Sequence, residues 1–255
     1  MTHAPCGRSL GSRLWAFWPE GRDVFPALVA LCLATMAGMV LLTMKVAWSG
    51  RLRDLYLAWN LFLALLPLGL ALLCVRWRPW ATGASRLRFA GAAAAWMLFF
   101  PNAPYIFTDM IHLGPTWRTI YWVDLVLILL FAMTGFVAGF LSLYLMQKVV
   151  HERAGQIAGW GLVLTVAALS GTGVFVGRFL RWNSWDVLLR PWDLARDSIH
   201  LIRGGEHLAT GLVFPVLFGA FVFTAYTLLY SLTHLAPVTP ARATKQAQAG
   251  EPRRA

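Results

Sequence analysis

Six ionisable side chains lie within or at the edge of long apolar runs: Asp109, His112, Asp124, Arg178, Arg181 and Asp186. Charges at membrane depth are costly and usually face a protein interior or a wet cavity, so these residues are the candidates for a site. Asp109 and His112 are the candidate catalytic groups, a carboxylate and an imidazole able to act as general acid or base. Arg178 and Arg181 are three apart, close to Trp182, Asn183 and Asp186. Two guanidinium forks on one helical face suit a phosphate or a carboxylate. Asn102 and Tyr105 precede Asp109 and His112 at helical offsets of 0, 3, 7 and 10, so the four share roughly one face. The candidate ligand-binding set is therefore Asn102, Tyr105, Asp124, Arg178, Arg181, Trp182, Asn183 and Asp186. The competing reading is internal: Asp109, Asp124 and Asp186 are salt-bridge partners of the arginines and only hold helices together.

Other chemistries find less support. Ser170 and Ser184 lack the glycine pattern of a nucleophile elbow. Asp109, His112, Asp124 and Asp186 offer hard-oxygen and imidazole ligands without any metal-binding spacing, so no metal and no cofactor is expected. Of three cysteines, Cys32 and Cys74 lie inside apolar runs as small packing residues, and with Cys6 they form no disulfide framework.

The elements that must position these groups are membrane helices. A chain of 255 residues that is 58 % hydrophobic and 13 % charged is no ordinary soluble domain. The expected fold is all-α, a polytopic transmembrane bundle of six spans at 24–44, 55–75, 87–113, 122–146, 157–180 and 208–232. Lys45 ends the first span, and the second contains Asn60 and Pro67. The third is broken at Pro101-Asn102-Ala103-Pro104, where each proline removes a donor and turns its predecessor away from helical geometry. Residues 90–100 are too short to cross alone, so the span must continue through the break. Gly135 and Gly139, and Gly173 and Gly177, have the small-xxx-small spacing that would pair the fourth and fifth spans.

Between the last two spans, Pro191 suits a helix start and Gly204-Gly205 a stop, with Trp192, Ala195, Ile199 and Ile202 on one stripe. This predicts a short amphipathic helix on the membrane surface, either a lid over the site or a plug between spans. Residues 1–23 read as a basic N-terminal tail with interfacial aromatics, residues 24–235 as one membrane domain, and 236–255 as a disordered basic tail. The excess of 22 Lys and Arg over 11 Asp and Glu is read as topology rather than nucleic-acid binding. With both termini inside, 13 of the basic residues lie on the inner face and 9 on the outer. That bias places both termini in the cytoplasm of a bacterial inner membrane and the candidate site on the outer face.

Phe99-Phe100-Pro101-Asn102-Ala103-Pro104-Tyr105 with Thr108-Asp109-Met110-Ile111-His112-Leu113 resembles the signature of an uncharacterised prokaryotic integral membrane family, domain-of-unknown-function family 1361. Gly177-Arg178-Phe179-Leu180-Arg181-Trp182-Asn183-Ser184-Trp185-Asp186 resembles its second signature. The resemblance covers roughly residues 30–232. It implies a multi-span membrane protein and supplies no activity. Three functions stay open. One is an enzyme or binding protein acting at the outer face on an anionic, phosphorylated or lipid-linked ligand; another is a transporter or flippase built on the broken helix; the third is a structural membrane protein. The bilayer is the expected partner, with an anionic lipid as a possible ligand.

Overall fold

The computed structural model describes residues 21–77, 83–113, 119–203 and 208–234. The tails at 1–20 and 235–255, the Gly204-Gly205 stop and the side chains of His112 and His200 lie outside what it describes. Among the described residues every regular element is helical. They are α1 (Gly21–Ser49), a 3-10 turn (Leu52–Leu55), α2 (Tyr56–Arg76), α3 (Gly83–Phe99) and the single turn α4 (Asn102–Tyr105). A 3-10 segment (Ile106–His112), α5 (Thr119–Phe179), α6 (Asp186–Leu189), α7 (Pro191–Arg203) and α8 (Leu208–Thr233) complete the chain.

Four segments are long and apolar enough to cross a membrane: Val24–Ser49, Leu52–Arg76, Tyr121–Phe179 and Gly211–Thr233. The first and last bury little of themselves in the protein, and they show Leu33, Met36, Met44, Val216 and Leu217 at their surface. Apolar side chains outside and polar ones inside identify a membrane-embedded helical protein. The third of these segments is a hairpin. Gly155 (φ 86°, ψ 173°) is non-helical and divides α5 into two arms. A Cβ on Gly159 would lie 3.3 Å from Gln147, a contact possible only if the arms fold back on each other. Glycine alone adopts such a φ without strain.

The broken segment lies between these two arms. Trp96 donates to Ser142 at 3.2 Å, and Ala103 abuts Gly135 and Gly139, so the segment runs antiparallel to the first arm. Pro101 abuts Gly173 and Tyr105 abuts Gly177, so it runs parallel to the second. A Cβ on Gly139 would sit 2.6 Å from that of Ala103, and one on Gly173 would sit 2.7 Å from Pro101. The glycine pairs therefore make room for the proline break, rather than for each other as their spacing suggested.

The break itself is tighter than expected. Pro101 stays right-handed (φ −58°, ψ −21°), and Ala103 N–H bonds the Phe100 carbonyl at 3.0 Å instead of the Phe99 carbonyl one residue earlier. Beyond α4 the chain continues as 3-10 helix to His112. Packing on both sides holds the prolines in a compressed helix rather than an extended kink. Two further contacts close the bundle: Gly171 against the Pro215 carbonyl, and Gly219 against Ala167. Aromatic stacking of Phe136, Phe140 and Phe221 fills its middle.

Candidate functional site

At one end of the bundle α1 stops, α2 starts, the 3-10 segment stops and α5 both starts and stops. Two polar networks share this end.

The first joins the two signature stretches. Arg178, on the last turn of α5, donates through Nη1 to Asp109 Oδ1 at 3.3 Å and to the Tyr105 hydroxyl at 3.4 Å. Its Nη2 donates to the Thr108 carbonyl, and its guanidinium lies 5.6 Å from the centre of the Tyr105 ring. Asn60 of α2 donates to Asp109 Oδ2 at 2.8 Å. Asp109 is only 1 % exposed, so this carboxylate is buried with a charge partner and a neutral donor. The irregular backbone is satisfied by the same groups. Asn102 Nδ2 donates to the Phe99 carbonyl at 2.9 Å, which the proline break has left without its usual amide, and to Ser184 Oγ at 3.0 Å. Non-helical backbone is tolerated at such depth only when protein supplies these partners.

The expected shared face of Asn102, Tyr105 and Asp109 is real, and it meets the second signature. Three other expectations change. Arg181 does not sit a helical turn beyond Arg178 on the same face, because α5 ends at Phe179 and Arg181 is left-handed (φ 59°) and exposed. Asp186 pairs with neither arginine; it accepts the backbone N–H of Asn183 at 2.8 Å and so caps the turn leading into α6. Asp124 is on the other network. Trp182 Nε1 donates to Asp197 of α7 at 3.2 Å, which ties the predicted surface helix to the second signature. That helix exposes Trp192 and Ile199.

The second network contains the candidate Asp124, but with partners that the sequence does not single out. Lys45 Nζ lies 2.7 Å from Asp54 Oδ2 and 2.6 Å from Asp124 Oδ1, buried oxygens that among the described residues have no hydrogen-bond donor beyond that ammonium. In sequence Lys45 reads as the end of the first span, and Asp54 lies just before the second. Their placement on either side of Gly50 (φ 66°), at the turn between α1 and α2, was the available clue. A cavity of about 440 Å³ opens here, lined by Lys45, Arg53, Asp54, Tyr56, Leu57, Asp124 and Ile128. Tyr56, the first residue of α2, lines the same cavity.

Chemically, Asp109 is shielded in this conformation: Asn60 and Arg178 occupy its two oxygens, and no reacting atom has an open approach. Arg178 is likewise committed internally, whereas Arg181 is exposed. Among the described residues no group of three His, Cys, Asp or Glu side chains could hold a metal ion.

No curated protein and no solved structure matches the chain. Residues 59–226 match the family described as Protein of unknown function (DUF1361), a shorter stretch than the resemblance suggested but one that contains both signatures. Covering well over half of the sequence, this match makes the chain a member of the DUF1361 family.

Proposed function

We propose that this membrane protein carries a one-sided site, on the extracytoplasmic face, that binds an anionic, phosphorylated or lipid-linked headgroup. The observation that carries the reading is the turn after α5. Arg181 is exposed and left-handed, a conformation that costs a non-glycine residue energy and that persists where function requires it. Next to it Trp182 is held by Asp197 of the amphipathic α7, whose Trp192 is 85 % exposed. A guanidinium, two indoles and an apolar helix face at one level suit a phosphate on a lipid anchor. Orientation follows from the 13-to-9 distribution of basic residues, with both termini cytoplasmic. Asp109 and His112 would act on such a ligand only if the Asp109–Arg178 pair opened. The closed pair favours binding over turnover.

Native mass spectrometry of the purified protein tests this. The wild type should retain a phospholipid or polyprenyl-phosphate adduct. Arg181→Ala should lose it at an unchanged melting temperature, while Arg178→Ala should lower the melting temperature. A wild type free of anionic lipid, or an Arg181→Ala protein that retains it fully, would leave the arginines with structural roles alone.

A further inference from the structure

The cavity beside Lys45 is a second candidate site, and it differs from the first in charge. Among the described residues it holds one buried ammonium against two carboxylates, and the only further positive charge in its lining is the largely exposed Arg53. The side chains of Lys45, Asp54 and Asp124 are 6 %, 10 % and 24 % exposed, so the Lys45–Asp54 pair is buried and Asp124 half-buried. Arg53 is a weak compensator: its Nε lies 3.8 Å from Asp54 Oδ1 and its side chain is 79 % exposed. An ammonium has three N–H groups and can bridge two carboxylates, but it neutralises only one. Buried charge left unpaired is strongly unfavourable, and the remedy is a counter-charge within reach. The adjoining space of about 440 Å³ can hold a small cation with several waters, each of which takes about 30 Å³ in the liquid.

We infer that this cavity binds a small monovalent cation, an alkali ion or a primary ammonium, between Asp54 and Asp124, with Lys45 as a tethered cation that shares the same two carboxylates. Three elements contribute: the end of α1, the 3-10 turn before α2, and the start of α5. Occupancy would therefore bind those three ends together. A divalent ion fits less well, because Lys45 repels it and two carboxylates supply few of the six or more oxygens it takes. The inference is independent of the lipid reading, which rests on Arg181 and α7.

The test is thermal unfolding of the full-length protein in detergent, titrated separately with sodium, potassium and methylammonium chloride. A cation that binds only the folded state raises the midpoint saturably. Wild type should show such a rise. Lys45→Met removes the tethered competitor and should reach half-saturation at a concentration at least tenfold lower. Asp124→Asn and Asp54→Asn should abolish the saturable response, and Arg190→Gln, an exposed position outside the cavity lining, should keep it. A response to methylammonium alone would identify an organic amine as the ligand, and a response to alkali ions an inorganic one. A salt response that is non-saturating and equal in wild type, Lys45→Met and Arg190→Gln overturns the site whether or not the aspartate variants fold. So does a Lys45→Met protein less responsive than wild type. Loss of lipid retention in Arg181→Ala would leave each of these results unchanged.

Discussion

The pairing of Asp109 with Arg178 is the residue-scale feature that the sequence announced most clearly. An acid at the end of one apolar run and a base at the end of another each need a partner, and the hydrogen bonds supply it. Removing one member leaves the other buried and uncompensated, at a cost of roughly 3–5 kcal/mol. Asp109→Asn and Arg178→Gln should each fall near that range, and the double variant should lose clearly less than the sum. Melting of the four proteins in detergent measures the coupling, and strictly additive losses would refute it. Asn102→Ala should cost about 1–3 kcal/mol, because it leaves the half-buried Phe99 carbonyl without its side-chain partner. Asp124 stands out in the sequence, but its partners Lys45 and Asp54 were hidden for a physical reason. A lysine at the end of an apolar run serves equally well as an orientation signal or as a buried ion, and sequence carries no measure of depth.

Among the elements, the proline break was legible because two residues without amide donors must interrupt the helical ladder. What surrounds the break was not. Small-xxx-small spacing reports that a backbone can come close, but says nothing of which backbone does so, and here it is the broken segment that fits between the two arms of α5. The consequence is a contrast between glycines. Gly173→Val should destabilise strongly, since its first added carbon would already lie 2.7 Å from Pro101. Gly161→Val, in the same arm with nothing within 4 Å, should lower the melting temperature little. Overpacking a filled core typically costs about 1–3 kcal/mol, so the two variants should be readily separated by melting in detergent. Equal melting temperatures would mean that the arms do not clamp the break.

For the whole molecule, the two ends of the bundle differ. Both ionic networks and the amphipathic α7 lie at one end, whereas the opposite end carries the Gly155 hairpin apex with Lys148, Glu152 and Arg153. That all-helical frame followed from composition and run length alone, because only helices satisfy backbone groups inside lipid without relying on neighbouring segments. The two arms of α5 are legible in the sequence as separate spans at 122–146 and 157–180, whereas the helix between them continues up to Gly155 and resumes directly after it. Orientation rests on the weaker signal of basic-residue bias. In a background with Cys6, Cys32 and Cys74 replaced, Asp193→Cys on α7 and Ala154→Cys at the apex report opposite ends, and both native side chains are exposed. A membrane-impermeant maleimide applied to intact cells should label position 193 and spare position 154 until the membrane is opened. Labelling of 154 alone would invert the protein. The polar end would then face the cytoplasm, and any headgroup held at Arg181 would have to come from the inner leaflet.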